Sequence, residues 1–149
     1  MLAELYIGVL GMDFWQQYHN IIIMTGIFAL FIFKGRIMGY FFGFKSVSAK
    51  VASSAIRSSK GVLLDVRTDG EYQSGHVSGA KHIPLHQLSG HLPALAKEFQ
   101  GKEVYVICQT GGRSASACVS LAKMGLEVYN VTGGMVGWGV MGDKTLLAR

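Results

Sequence analysis

Residues 103–124 read Glu103-Val-Tyr-Val-Ile-Cys108-Gln-Thr-Gly-Gly-Arg113-Ser114-Ala-Ser-Ala-Cys118-Val-Ser-Leu-Ala-Lys-Met124. The run from Glu103 to Ile107 is dominated by β-branched and aromatic residues and predicts a short buried strand. Ser114 to Met124 has the composition and spacing of a helix. Cys108 therefore sits at the end of a strand, on a short loop that opens a helix. The loop holds two glycines and a single branched residue, Thr110. Such a loop can turn successive backbone N–H groups inward as an anion nest. The following helix adds its unsatisfied N-terminal amides and the positive end of its dipole. Arg113 adds a planar cation that can fork onto an anion. All of this favours a negative charge on sulfur, and the thiolate is the reactive form of cysteine. Cys108 is the candidate nucleophile. Free cysteines are commonly buried for packing alone, but a packing cysteine needs neither two glycines nor a guanidinium behind it.

Working outward, the chain alternates strands and helices. Val47 can begin an edge strand, and Ser48 is a fitting N-cap for a helix over Ala49 to Arg57. Val62 to Val66 reads as a strand carrying one acid, Asp65, followed by Arg67. Thr68-Asp-Gly-Glu71 matches a capping box for a short helix over Asp69 to Ser74. His82-Ile83 is a short strand ended by Pro84. His86 to Lys97 reads as helix in two pieces, broken near Gly90 and Pro93. Glu127 to Val131 is a further strand, and Gly133-Gly134 opens a last helix, Met135 to Met141, with Trp138. The tail, Asp143 to Arg149, reads as loose. The pattern predicts an α/β fold with a mostly parallel central sheet flanked by helices. Ligands in such sheets bind at the carboxyl ends of strands, where Cys108 and Asp65-Val66-Arg67 fall.

The N-terminal third differs. Half of the 149 residues are hydrophobic and only 15% are charged, below the usual quarter. The apolar excess lies in the first 45 residues. Ile21 to Phe33 carries no charge, and Trp15, Tyr18, Lys34, Arg36 and Tyr40 flank it as interfacial anchors. As a helix this apolar core covers about 20 Å, short of the roughly 30 Å of a bilayer. Snorkelling flanks would let a helix over about residues 18–36 span; a helix lying on the membrane surface is the competing reading. The first 33 residues hold no Lys or Arg, which argues against a secretory signal. The division expected is a membrane anchor and juxtamembrane segment over 1–45 and a globular domain over 46–149. With Lys34 and Arg36 on its C-terminal side, a single-pass anchor places the domain in the cytoplasm. The net charge is +5. It has no basic run or basic-aromatic pattern, so nucleic acid is not an expected partner. Two cysteines and five histidines show no metal-ligand spacing, and neither metal nor cofactor is expected.

Taken together, Leu-Leu-Asp65-Val-Arg67, Glu71-Tyr72, Gly75-His76-Val-Ser-Gly79-Ala80, Ile83-Pro84, Cys108-Gln109-Thr110-Gly111-Gly112-Arg113-Ser114 and Gly133-Gly134 with Trp138 resemble the rhodanese family of sulfurtransferases. The resemblance spans about Ser46 to Gly142, and is to single-domain members carried on an N-terminal membrane helix. Position 82, often asparagine in that family, is histidine here. The resemblance implies that Cys108 carries sulfane sulfur as a persulfide, held by the loop from Gln109 to Ser114. Sulfur would pass from a donor such as thiosulfate to a thiol or cyanide acceptor, small molecule or protein. Phosphatases of the same fold have a loop one residue longer than the six from Cys108 to Arg113, so sulfur chemistry is the implied one. Arg113 is expected to orient an anionic donor. Asp65, Arg67 and His76 are expected as supporting residues, and Glu71 as a cap. Cys118, ten residues on, falls on the buried helix face; a resolving cysteine would instead make a redox device. The alternative reading of the whole is a non-enzymatic module of the same fold that binds a partner or senses reactive sulfur.

Overall fold

The strand before Cys108 is the centre of the sheet. In the computed structural model, which describes residues 18–30 and 43–148, five parallel strands lie in the order β1-β6-β5-β2-β4. They are β1 (Lys45–Ser48), β2 (Gly61–Asp65), β4 (Lys81–His82), β5 (Glu103–Ile107) and β6 (Glu127–Thr132). A second, two-stranded ribbon pairs β3 (His76–Val77) with β7 (Leu147–Ala148). Strand β5 lies between β2 and β6 in register, Leu64 beside Val106 and Asn130 beside Val106. The twofold alternation of a strand then divides its side chains between two cores. Val104, Val106 and Cys108 face a layer made by α4 (Leu88–Glu98) and α5 (Gly112–Lys123), with Leu88, Leu95, Cys118 and Leu121. Tyr105 and Ile107 face α2 (Ala49–Arg57) and α6 (Gly134–Met141), with Ala49, Ala52 and Trp138. The buried run at β5 is apolar on both faces because helices cover both. The expected α/β class with a mostly parallel sheet is what the chain adopts.

Local chemistry accounts for most element boundaries. The Ser48 side chain accepts from Val51 N–H at the start of α2. Thr68 and Glu71 make the reciprocal capping box of α3 (Asp69–Gln73). Two expectations need correction. The stretch from His86 is not two helical pieces; a 3-10 turn over Leu85–Gln87 leads into one unbroken α4 that contains Gly90 and Pro93. Pro93 and Ser89 are both exposed, so the carbonyl that the proline leaves unpaired, that of Ser89, can take water. The tail is not loose either. Asp143 ion-pairs with Arg57, and its side chain accepts from Thr145 N–H to cap a 3-10 turn over Lys144–Leu146. Leu146 packs on the Trp138 core, and Ser78 N–H donates to its carbonyl at 2.6 Å. Backbone pairing and one half-buried leucine thus hold the C-terminal segment.

The chain divides into two units, Met1–Lys34 and Gly35–Arg149. In the first, residues 18–30 form one α-helix, α1. Ile21, Met24, Phe28 and Leu30 on it are exposed. The Thr25 hydroxyl donates back to the Ile21 carbonyl at 2.8 Å. No described helix is long and apolar enough to cross a membrane. Residues 31–36 of the expected span lie outside the described residues, as do Trp15, Lys34, Arg36 and Tyr40.

Candidate active site

Cys108 leaves the carboxyl end of β5 and is 1% exposed. Its sulfur lies at the bottom of the loop. Gly111 N–H donates to Cys108 Sγ at 3.1 Å, and the Ser114 hydroxyl lies 3.4 Å away. Gly111 has φ of 102°, the left-handed region, as the residue before α5. A Cβ there would stand 3.3 Å from Gly133 N and 3.4 Å from Val131 O. Glycine is required at that position both for its backbone angle and for its space.

The loop is aimed from behind by α6. Met135 N–H donates to the Cys108 carbonyl at 2.8 Å, and Val136 N–H to the Gln109 carbonyl at 3.2 Å. These are first-turn amides of α6, which have no partner within their own helix. They hold these two carbonyls outward, and the peptide group of the second carries Thr110 N–H, one of the amides that reach sulfur. The approach is so close that a Cβ on Gly134 would overlap the Cys108 carbonyl oxygen.

Burial pushes the Cys108 thiol up, but it is outweighed. Hydrogen bonds from the Ser114 hydroxyl and from the amides of Ser114, Gly111 and Thr110 hold the thiol below its ordinary value. Hydrogen bonds to the charged form favour ionisation. Cys118 has no such help: burial, and then the charge on Cys108, push it well up. It is a core residue beside Leu121, not a nucleophile at neutral pH.

Arg113 does not project freely into the cradle. Its guanidinium donates to Glu71 Oε2 at 2.8 Å and Oε1 at 2.6 Å. This is a two-pronged charge-assisted pair. Glu71 also accepts from Thr68 N–H at 2.9 Å, so one carboxylate both caps α3 and anchors the end of the cysteine loop. The Arg113 guanidinium, first, and Thr68 N–H hold the Glu71 carboxyl down from 4.5 to about 2. Asp65 and Arg67 are buried at 0% and 2%. Arg67 Nε donates to Asp65 at 2.9 Å. The rest of its guanidinium donates to the carbonyls of Glu71 at 3.0 Å and Gly75 at 2.8 Å. His76 stacks on Tyr72 with ring centres 3.9 Å apart, and His82 stacks on the opposite side at 4.1 Å. His82 Nε2 lies 2.9 Å from the Arg67 carbonyl. Asp65, Arg67 and His76 therefore organise the α3 region, not the sulfur itself. Of the loop residues expected around it, Thr110, Gly111 and Ser114 reach the sulfur, and Gln109 and Gly112 are their chain neighbours. Among the described residues no group of His, Cys, Asp or Glu could hold a metal ion.

A family model, the rhodanese-like domain, matches residues 48–140. The chain belongs to the rhodanese-like family. It is 35% identical over 112 residues to the Bacillus subtilis protein YqhL, covering 74% of this chain and 80% of that one. It is 33% identical over 96 residues to a protein of Pseudomonas savastanoi named thiosulfate sulfurtransferase GlpE, covering 64% and 87%. A crystal structure of a rhodanese-like domain protein from Staphylococcus aureus superposes with a TM-score of 0.56 at 33% identity, covering 69% of this chain and 96% of that one.

Three residues of this rhodanese-like site escape a reading of the sequence. Asn130 is 3% exposed and lies 2.7 Å from the Ser114 hydroxyl. An asparagine inside the β-branched run of β6 is the signal that could have found it, since buried polar groups demand partners. Gly134 reads only as a helix opener, because its contact with Cys108 spans 26 positions. Glu71 reads as a cap because its second partner, Arg113, is 42 residues away.

The Glu71 value fixes a pH dependence. Its folded value is depressed, so the stability it gives is complete above about 4.5 and drains away as pH falls toward about 2. Glu71→Gln should flatten that part of the acid-unfolding curve and lower the unfolding midpoint at pH 7, more at low salt than at high. Circular dichroism across that range checks it. An unchanged acid limb would remove Glu71–Arg113 from the account.

Proposed function

We propose that this protein is a sulfurtransferase that moves sulfane sulfur from a donor such as thiosulfate to a thiol or cyanide acceptor through a persulfide on Cys108. The observation that carries the reading is the environment of one sulfur atom, buried yet held toward its anion by the Gly111 amide and the Ser114 hydroxyl. In the first step the Cys108 thiolate attacks the outer sulfur of the donor. A new S–S bond forms, the donor's own S–S bond breaks, and sulfite leaves with the electron pair. The persulfide keeps one negative charge at its outer sulfur, within the turn of inward-facing amides. In the second step the acceptor attacks that outer sulfur and Cys108 leaves as the thiolate. This is two-step covalent catalysis with a ping-pong pattern. No general base is needed where the thiol is already ionised. Because Glu71 occupies both prongs of Arg113, the cradle's positive potential comes mainly from amides. Arg113 then serves to fix the loop. The relatives named sulfurtransferases support the reaction class, and the six-residue loop from Cys108 to Arg113 agrees with it.

The membrane placement is part of the same proposal. It rests on the uncharged run from Ile21 to Phe33, on the exposed apolar side chains of α1, and on Lys34 and Arg36 following it. On this reading the N-terminal segment ahead of β1 anchors the protein by a single pass, and the rhodanese-like domain faces the cytoplasm.

Two measurements test these statements. Intact mass after thiosulfate treatment should show one added sulfur on the 149-residue chain, retained in Cys118→Ser, absent in Cys108→Ser and removed by cyanide. If Cys108→Ser takes up the same mass, the mechanism is wrong. In cells, the chain should stay with membranes through carbonate extraction, and added protease should reach the domain only after the membrane is opened from the cytoplasmic side. Release by carbonate would defeat the spanning anchor.

A further inference from the structure

The hydrogen bonds around Ser114 do not add up with a fixed set of protons. Its hydroxyl lies 2.7 Å from Asn130 Oδ1 and 3.4 Å from Cys108 Sγ. A hydroxyl has one proton and cannot donate to both. Both are buried, Ser114 at 0% and Asn130 at 3%. While the proton is spent on Asn130 Oδ1, Ser114 can only accept from sulfur, which suits a neutral thiol. A thiolate needs the reverse. If the Asn130 amide turns over, Nδ2–H donates to Ser114 Oγ and the hydroxyl proton is released toward sulfur. The amide is close to symmetric in shape, so the turn needs no repacking of its neighbours.

A second observation lies beside it. Asn130 is paired in register with Ser46 on β1, and residues paired in this way face the same side of the sheet. Ser46 Oγ is the one buried side-chain polar atom without a hydrogen-bond partner among the described residues. A buried hydroxyl left unpaired is costly. Rotation of Ser46 toward the turned amide would give its proton an acceptor in Oδ1.

We propose that Asn130 is a positioning residue for Cys108, acting through Ser114: the orientation of its amide sets whether the Ser114 hydroxyl accepts from the thiol or donates to the thiolate. Ser46, Asn130, Ser114 and Cys108 then form one polar line across the helix-covered face of the sheet. On ionisation the thiol proton goes to solvent, the amide turns, and the line reverses its direction of donation. The same reversed line would support each departure of Cys108 as thiolate from the persulfide. The inference deepens the sulfur-transfer reading and rests on it for its use, but its direct readout is sulfur ionisation.

The test is the pH dependence of iodoacetamide alkylation of Cys108, followed by mass on the 149-residue chain in a Cys118→Ser background. Asn130→Asp keeps the shape and, ionised, can only accept, so it holds the Ser114 proton away from sulfur; Asn130→Leu removes the competing acceptor and leaves that proton free. Asn130→Asp should therefore move the alkylation midpoint up and slow the reaction at neutral pH, by about tenfold for the loss of one hydrogen bond to a charged group, whereas Asn130→Leu should not raise the midpoint. Ser114→Ala should slow the reaction similarly, and adding Asn130→Asp to it should change little further. A midpoint unmoved in Asn130→Asp would overturn the proposal. So would an Asn130→Asp effect of equal size with and without Ser114, which is the mark of through-space charge alone. Should Asn130→Leu fail to fold, Asn130→Asp with and without Ser114 decides. Failure of the sulfur-transfer reading is separate: there the wild-type thiol would alkylate as described and yet gain no sulfur from thiosulfate.

Discussion

Two hydrogen bonds from the first turn of α6 to the carbonyls of Cys108 and Gln109 fix the start of the loop on which everything else relies. A peptide group that turns its oxygen out turns its N–H in. By engaging the Gln109 oxygen from behind, Val136 turns Thr110 N–H inward, and Gly111 and Ser114 further along the loop add their amides to the buried sulfur. Desolvation alone would keep that sulfur protonated. The hydrogen bonds outweigh it, and the fold supplies them without any residue that must itself gain or lose a proton. The two glycines at the contact, Gly111 and Gly134, are what allow the helix and loop backbones to come this close.

The remaining polar groups work outward from that loop in sequence. Glu71 grips Arg113 at the loop's end, Arg67 holds the carbonyl of Glu71, and Asp65 holds Arg67. A buried ion pair contributes little net stability but is costly to break on one side. Its role here is placement: it ties the end of β2 to α3, and α3 to the cysteine loop. The Arg113 charge is thereby largely matched before any ligand arrives. Arg113 still feels the Cys108 sulfur, but more weakly than it feels Glu71.

Much of the architecture could be read along the chain. Strand β5, the loop and α5 follow from a β-branched run, two glycines and a helical run, and Thr68-Asp-Gly-Glu71 forms the capping box its spacing suggests. These are local patterns, governed by neighbours within a few residues. The failures are long-range or depend on solvent. Pro93 does not break α4, because the group it leaves unpaired is at the surface. The C-terminal segment is ordered by Arg57, Ser78 and the β3 strand, none of them near it in sequence. In the site, Cys108 and the loop were legible, whereas Asn130, Gly134 and the second partner of Glu71 were not. Each acts through a contact that folding alone creates.

The central claim is that backbone amides hold the negative charge of the Cys108 sulfur. Amide proton shifts for residues 109–114, followed by NMR as pH is raised through the ionisation of Cys108, test it most directly. The account predicts that Gly111 and Ser114 move downfield together with a single midpoint below that of an ordinary thiol, and that Cys108→Ser abolishes the movement. Flat amide shifts while Cys108 demonstrably ionises would contradict it.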